Sequence, residues 1–257
     1  METTPLELID FAEFLADEAG KICRLYYRGQ LGVQNKADNT PVTEADRKIE
    51  ETIRKLVEIN FPDHVVYGEE MANSEVEAKY TWVIDPIDGT KSFITGRPLF
   101  GTLISLVENG QPIIGVIDQP VISERWVAAN NATKFNNKIV QTRGGITMDQ
   151  AIFATTSPFL FSEKDKFIVA KISEATNYTI YGGDCYSYGQ LAMGLVDVIV
   201  ESGLKPYDFL ALVPVIENAG GKITDWQGNT LTSKSDGNIL ACGDVILHKQ
   251  ILKSYFC

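Results

Sequence analysis

Trp82-Val83-Ile84-Asp85-Pro86-Ile87-Asp88-Gly89-Thr90-Lys91-Ser92-Phe93 reads as a buried strand that ends abruptly in two carboxylates, a glycine and a hydroxyl. Such a stretch can hold a hard cation and a phosphate side by side. Asp85 and Asp88 offer oxygen ligands, and the free N–H groups of a helix opening near Gly89 would face an anion. Metal-assisted phosphate chemistry is the first hypothesis. The same residues also suit a plain turn, because Asp-Pro and Asp-Gly pairs are common turn formers and Asp is a common helix cap.

Working outward, Val65-Val66-Tyr67 is a short strand that delivers Gly68-Glu69-Glu70 to its carboxyl end. Further upstream, Leu8, Phe11, Ala12, Leu15, Ala19, Ile22 and Tyr26 have helical spacing, ending near Arg28-Gly29; a second helix follows Thr43 with Ile49, Ile53, Leu56 and Val57 as its inner stripe. Downstream, Gly101 to Val107, Ile113 to Ile117 and Trp126 to Ala129 suggest an antiparallel meander, with a turn at Glu108-Asn109-Gly110. Beyond residue 145 the rhythm changes. Apolar runs at Ala151 to Thr155, Val196 to Val200, Lys222 to Asp225 and Ile239 to Cys242 alternate with helical patterns at 163–175, 185–193, 209–219 and 245–255, an α/β arrangement. The polar segment Gln141 to Gly145 marks a boundary, giving subdomains 1–145 and 146–257 that share a cleft.

Composition narrows the chemistry. The chain has 257 residues, 44% hydrophobic and 22% charged, which describes a globular protein with a large core. Its formal net charge of −11 opposes binding to nucleic acid or anionic membranes. An anionic small substrate would need cations to help it in, which fits a metal site. Cys23, Cys185, Cys242 and Cys257 form no C-x-x-C pair, and with only His64 and His248 the spacing of a zinc site is absent. Met1 to Asp10 lacks a secretory pattern and no apolar stretch approaches membrane-spanning length, so a cytoplasmic setting is expected. The sequons at Asn131 and Asn177 are then expected to be chance matches.

A metal site needs carboxylates from separate segments converging on one place. Glu69 and Glu70 follow one strand, Asp85 and Asp88 another; Asp46 lies in the first turn of the second helix, and Asp208 just before a helix starting at Phe209. Each has a plainer reading: Asp46 closing a capping box with Thr43, Asp208 as a helix N-cap, Glu69 as a solvated loop charge.

Taken jointly, Gly68-Glu69-Glu70, Asp85-Pro86-Ile87-Asp88-Gly89-Thr90, and Asp208 followed by Ala219-Gly220-Gly221, with Thr43-Glu44-Ala45-Asp46 upstream, resemble the signatures of the inositol monophosphatase family of magnesium-dependent, lithium-sensitive phosphatases. The resemblance runs from the first helix almost to the carboxyl end. It implies a layered αβαβα sandwich, commonly a homodimer, acting on small phosphate monoesters with two or three Mg2+ ions. It further implies that Glu69, Asp85 and the backbone carbonyl of Ile87 hold a first magnesium and that Asp85, Asp88 and Asp208 hold a second. Glu70 matches an acidic position beside the metals. Asp46 and Thr90 match the pair that orients and deprotonates the attacking water, and Gly89 and Thr90 would donate backbone N–H groups to phosphate. All-oxygen ligation independently suits magnesium better than zinc.

Within the family the chain resembles the histidinol-phosphate phosphatase branch of histidine biosynthesis, through Asp118-Gln119-Pro120, Glu124-Arg125-Trp126, Gly182-Gly183-Asp184-Cys185-Tyr186 and Gly203 to Asp208. Tyr207 departs from the tryptophan usual before the metal-binding aspartate. Histidinol phosphate carries a protonated amine, and often a protonated imidazole, on its leaving group, so a pocket for it should offer carboxylates there. Asp184 and Glu201 match positions that face the leaving group; Asp184 is equally readable as a cap of a helix beginning at Cys185. Other readings are an inositol phosphate, phosphoadenosine nucleotide or sugar bisphosphate substrate, or a metal-binding regulatory protein without turnover. Lys36 or Lys91 on loops could draw phosphate in or simply be solvated. Trp126 and Trp226 read as core or rim aromatics, Cys185 as a buried, inert thiol rather than a reactive one, and His64 and His248 as structural or exposed.

Overall fold

The computed structural model describes residues 3–30, 32–35, 41–73 and 78–256. Two sheets and three sets of helices stack in five layers, and three apolar clusters fill the spaces between them. Helices α1 (Leu6–Tyr26) and α2 (Glu44–Asn60) cover one face of a seven-stranded sheet made of β3 (Val65–Gly68), β4 (Tyr80–Asp88), β5 (Gly101–Glu108), β6 (Gln111–Gln119), β7 (Glu124–Ala129), β8 (Ala132–Phe135) and β9 (Lys138–Val140), in that order. A small hairpin, β1 (Gln34–Asn35) with β2 (Pro41–Val42), precedes α2. Leu15, Ala19, Ile49 and Ile53 on the helices meet Trp82, Ile84, Ile104, Leu106 and Val116 on the sheet. Full burial of each larger side chain contributes about 1.5–3 kcal/mol.

The strands alternate as pleating requires, so Val83, Leu103, Ile117 and Trp126 point to the opposite face. There they meet the middle helices, α5 (Asp184–Ala192) and α7 (Leu212–Glu217), through Tyr188, Leu191, Leu212 and Val215. The same cluster continues to Ala154, Ile199, Ile223 and Ala241 of a five-stranded sheet ordered β11 (Tyr178–Tyr181), β10 (Ile152–Thr155), β12 (Val198–Glu201), β14 (Ile239–Cys242) and β13 (Lys222–Asp225). Phe153, Val198 and Leu240 face the last layer, α4 (Glu163–Ala175) and α8 (Val245–Ile251), where Val169, Ile172, Leu247 and Ile251 close the third cluster. This is the αβαβα sandwich expected from the sequence.

Several details differ from the sequence reading. The meander continues through β8 and β9, because Asn130-Asn131 and Asn136-Asn137 all take positive φ, the conformation of tight hairpin turns. Edge strand β11 was not anticipated. The helix expected at 209–219 is split: α6 (Pro206–Phe209) ends before α7 begins, so Asp208 sits inside a helix and not ahead of one. Helix α5 starts at Asp184, one residue early, and α8 gives way to a π-helical turn at Leu252–Phe256. Trp126 and Trp226 are buried as expected, His64 stacks on Phe61, and His248 is buried against Thr224.

Candidate active site

Asp85 and Asp88 are three residues apart in one strand, which in a regular pleat would send them to opposite faces. Pairing with β5 resolves this. Asp85 lies opposite Leu103 and Asp88 opposite Gly101, so β4 carries one extra residue there, a bulge that returns both carboxylates to one side. The Thr102 hydroxyl donates to the Pro86 carbonyl at 2.8 Å and the Ile87 N–H donates to Asp85 Oδ1 at 3.1 Å, which hold the bulge. Oxygen atoms of Asp85, Asp88 and Asp208 then lie within 4.8 Å of one another. Glu69, at the end of β3, stands beside Asp85 and raises its pKa.

Asp208 reaches the cluster from α6, whose first turn it closes by accepting the Lys205 N–H at 2.7 Å. The preceding Tyr207 stacks on Tyr67, the residue before Gly68-Glu69-Glu70, with ring centroids 6.4 Å apart. Asp46 approaches from the start of α2. Its Oδ2 accepts the Thr43 N–H at 2.9 Å and the Thr43 hydroxyl at 2.5 Å, so the capping box is made. Its Oδ1 is buried with no partner, which a cap alone leaves unexplained.

A short helix, α3 (Thr90–Ile94), follows the bulge, opened by Gly89 at φ +83. A Cβ on Gly89 would lie 3.0 Å from Asp184 Oδ2, so glycine is needed there for its backbone angle and for space. The Thr90 hydroxyl donates to the Ile87 carbonyl at 3.1 Å.

The cap reading of Asp184 fails, for a physical reason. Asp88 Oδ2 takes the Cys185 N–H at 2.5 Å, and Asp184 is the first helical residue at φ +44, after Gly182 and Gly183, which are also left-handed. A left-handed aspartate costs roughly 1–2 kcal/mol, and sparsely populated conformations of this kind cluster at functional sites. Its carboxylate lines a cavity of about 80 Å³ together with Asp88, Asp208, Glu201 and Tyr188. Glu201 accepts the Thr156 N–H at 2.8 Å and the Tyr188 hydroxyl at 3.4 Å. Lys91 and Arg97 are the cations that temper Asp184; Lys36 lies outside the described residues.

Electrostatics reflect this crowding. Burial first, and then neighbouring carboxylates, push Asp85 well above the usual carboxylate range, Asp88 and Asp208 to about 7, and Asp184 to about 8. Burial also raises Asp46, to about 6, against the hydrogen bonds from Thr43. Acids arranged to resist ionisation in their own company are suited to a multivalent cation, and an all-oxygen donor set with an orphaned buried oxygen fits a hard one.

Sequence reasoning missed Thr156 and Tyr188, which hold Glu201, and Arg97. It also missed Glu50, fully buried on α2 one turn after Asp46. A charged residue on the inner stripe of an amphipathic helix was the available signal.

Layered sheets and helices with an acidic cluster that could hold a cation define an α/β sandwich with a candidate metal site. The family model described as the inositol monophosphatase family matches residues 5–255. The chain is 46% identical to the bifunctional phosphatase IMPL2, chloroplastic, of Arabidopsis thaliana over 98% of this chain and 77% of that protein. It is 35% identical to the histidinol-phosphatase of Chlorobaculum parvum over 88% and 89%. An inositol monophosphatase from Zymomonas mobilis superimposes with a TM-score of 0.90 at 44% identity, covering 98% of both chains. The chain belongs to the inositol monophosphatase family, a family of phosphatases. Among the described residues no helix is long and apolar enough to cross a membrane.

Proposed function

We propose that the protein is a magnesium-dependent phosphomonoesterase whose preferred substrate is L-histidinol phosphate, released as L-histidinol and phosphate. The observation that carries the substrate choice is the pair of acids, half-buried Asp184 and buried Glu201, walling the cavity beside the carboxylate cluster. A neutral polyol has no need of two such groups, whereas a protonated amine neutralises them. Relatives named histidinol-phosphatase support this reading.

Glu69, Asp85, the Ile87 carbonyl, Asp88 and Asp208 would hold magnesium, with Glu70 beside them. When bound, magnesium would lower the pKa of a water and neutralise phosphate charge. Asp46 Oδ1, which has no hydrogen-bond partner, would take up the proton of an attacking water, and the Thr90 hydroxyl would orient that water. Backbone N–H groups of Gly89 and Thr90 bind phosphate oxygens. Asp184 and Glu201 orient the leaving group by its amine. Residues 1–145 supply most of the magnesium ligands and 146–257 supply Asp208 and the specificity acids. Assembly as a homodimer, lithium sensitivity and a cytoplasmic setting belong to the same reading; the relative from Arabidopsis is named chloroplastic.

A second reading, an inositol phosphate substrate, draws on the inositol monophosphatase of similar structure from Zymomonas mobilis and on Glu201, an acid that also suits a sugar hydroxyl. Phosphate release from histidinol phosphate, inositol 1-phosphate and a nucleotide 3′-phosphate, measured side by side with and without magnesium, separates them. A wide preference for histidinol phosphate is expected; a wide preference for inositol phosphate would overturn the substrate choice.

A further inference from the structure

Glu50 is 0% exposed, yet it is a carboxylate placed beneath an acidic loop. Its Oε2 accepts the Glu70 N–H at 2.7 Å and its Oε1 accepts the Met71 N–H at 3.1 Å. Arg54, one turn on, donates to Oε1 through Nε at 2.9 Å and Nη2 at 2.7 Å, and it also donates to the Val66 carbonyl at 3.1 Å. Gly68 lies against this carboxylate so closely that a Cβ would meet it at 2.3 Å. Asn73 closes the far side. It exchanges two hydrogen bonds with Gly68, at 2.8 and 2.9 Å, and its Oδ1 accepts from Arg54 at 2.9 Å.

An ion pair between Glu50 and Arg54 serving the helix alone would sit in solvent and would need neither loop N–H. Burying a carboxylate is unfavourable unless every lone pair is used, and here the loop's own N–H groups use them. Turning those groups inward fixes the backbone immediately after Glu69, whose side chain stands beside Asp85 and Asp46. Asp46 and Glu50 lie one turn apart on α2, so a single helix presents the orphaned acid and anchors the neighbouring ligand loop.

We infer that Glu50 is a positioning residue for the magnesium site, locking the Gly68-Glu69-Glu70 turn so that Glu69 is held in place before any cation arrives. This rests on the magnesium site proposed above. Outer-shell partners of metal ligands typically contribute roughly ten- to a hundredfold in metal affinity, and an effect of that size is expected here.

The test is calorimetric titration of Mg2+ alone into the metal-free protein, for wild type, Glu50→Gln, Asn73→Ala, Ile53→Ala and Asp85→Asn. Glu50→Gln should weaken binding roughly ten- to a hundredfold, and Asn73→Ala in the same direction by less. Ile53→Ala, which loosens the same helix through its apolar face, should leave affinity unchanged. Wild-type affinity in folded Glu50→Gln overturns the inference, as does equal weakening in Ile53→Ala; if Glu50→Gln does not fold, wild-type affinity in Asn73→Ala overturns it. Asp85→Asn reports on the site itself. Undiminished binding there removes the magnesium site, whereas lost binding there with normal binding in Glu50→Gln removes only the role of Glu50.

Discussion

Asp88 and Cys185 are joined by a 2.5 Å hydrogen bond from the Cys185 N–H to Asp88 Oδ2, across 97 residues of chain. One carboxylate thus belongs to the acidic cluster and also anchors the first turn of the helix that begins with Asp184. The seven-stranded sheet and the middle helical layer meet at that bond.

Asparagine at position 88 keeps an oxygen for the Cys185 N–H and removes a charge from a crowded cluster. Asp88→Asn should therefore melt no lower than wild type without metal at pH 8, while losing most of the melting-temperature rise that magnesium produces in wild type. Thermal melts with and without magnesium check this, and a full magnesium response in the variant would contradict it.

The raised carboxylates predict an inverted pH dependence for the metal-free protein. Unfolded carboxylates release protons near pH 4, whereas Asp88 and Asp208 hold theirs to about 7 and Asp184 to about 8. Between these limits the folded chain binds more protons than the unfolded one, so stability falls as pH rises. The melting temperature should drop from pH 5 to pH 8 without metal, and saturating magnesium should remove most of the drop. A flat metal-free profile would show that the acids are not crowded as described.

Thr90 touches the Ile87 carbonyl through a hydroxyl that valine lacks, at nearly the same volume. Thr90→Val should lower kcat by roughly a hundredfold or more, because the hydroxyl orients the water that Asp46 deprotonates, with magnesium affinity changed far less. Steady-state kinetics beside magnesium titration separate the two, and unchanged kcat would remove Thr90 from the chemistry.

Much of this site was legible in the sequence because its elements are local. Asp85 to Thr90, Gly68 to Glu70 and the Thr43 to Asp46 box are short motifs whose residue types state their chemistry, and the helices and central strands follow from period. What stayed hidden depends on tertiary contact. The bulge that brings Asp85 and Asp88 to one side is a property of pairing with β5, and the partner of the Cys185 N–H is a residue 97 positions away. Glu50 stands out as a charge on the inner stripe of α2, but the loop it holds shows only once Gly68 is found above it. Strands β8 and β9 were within reach, since their Asn-Asn turns are visible.

Removing the charge of Asp184 tests the substrate choice. Asp184→Asn should raise KM for histidinol phosphate by roughly tenfold or more, the usual scale of a lost charge-assisted contact, and leave KM for inositol 1-phosphate nearly unchanged. Equal effects on both would mean that Asp184 does not read the amine.

The proposed function stands on Asp85, with Asp88 and Asp208, holding magnesium in a phosphatase site. Phosphate release by folded wild type and folded Asp85→Asn, each with saturating magnesium and with chelator, tests it most directly. Release by wild type is expected only with magnesium, with a loss of at least a hundredfold in the variant, the minimum expected when a group stabilising transition-state charge is removed. Substantial magnesium-dependent release by Asp85→Asn would contradict it.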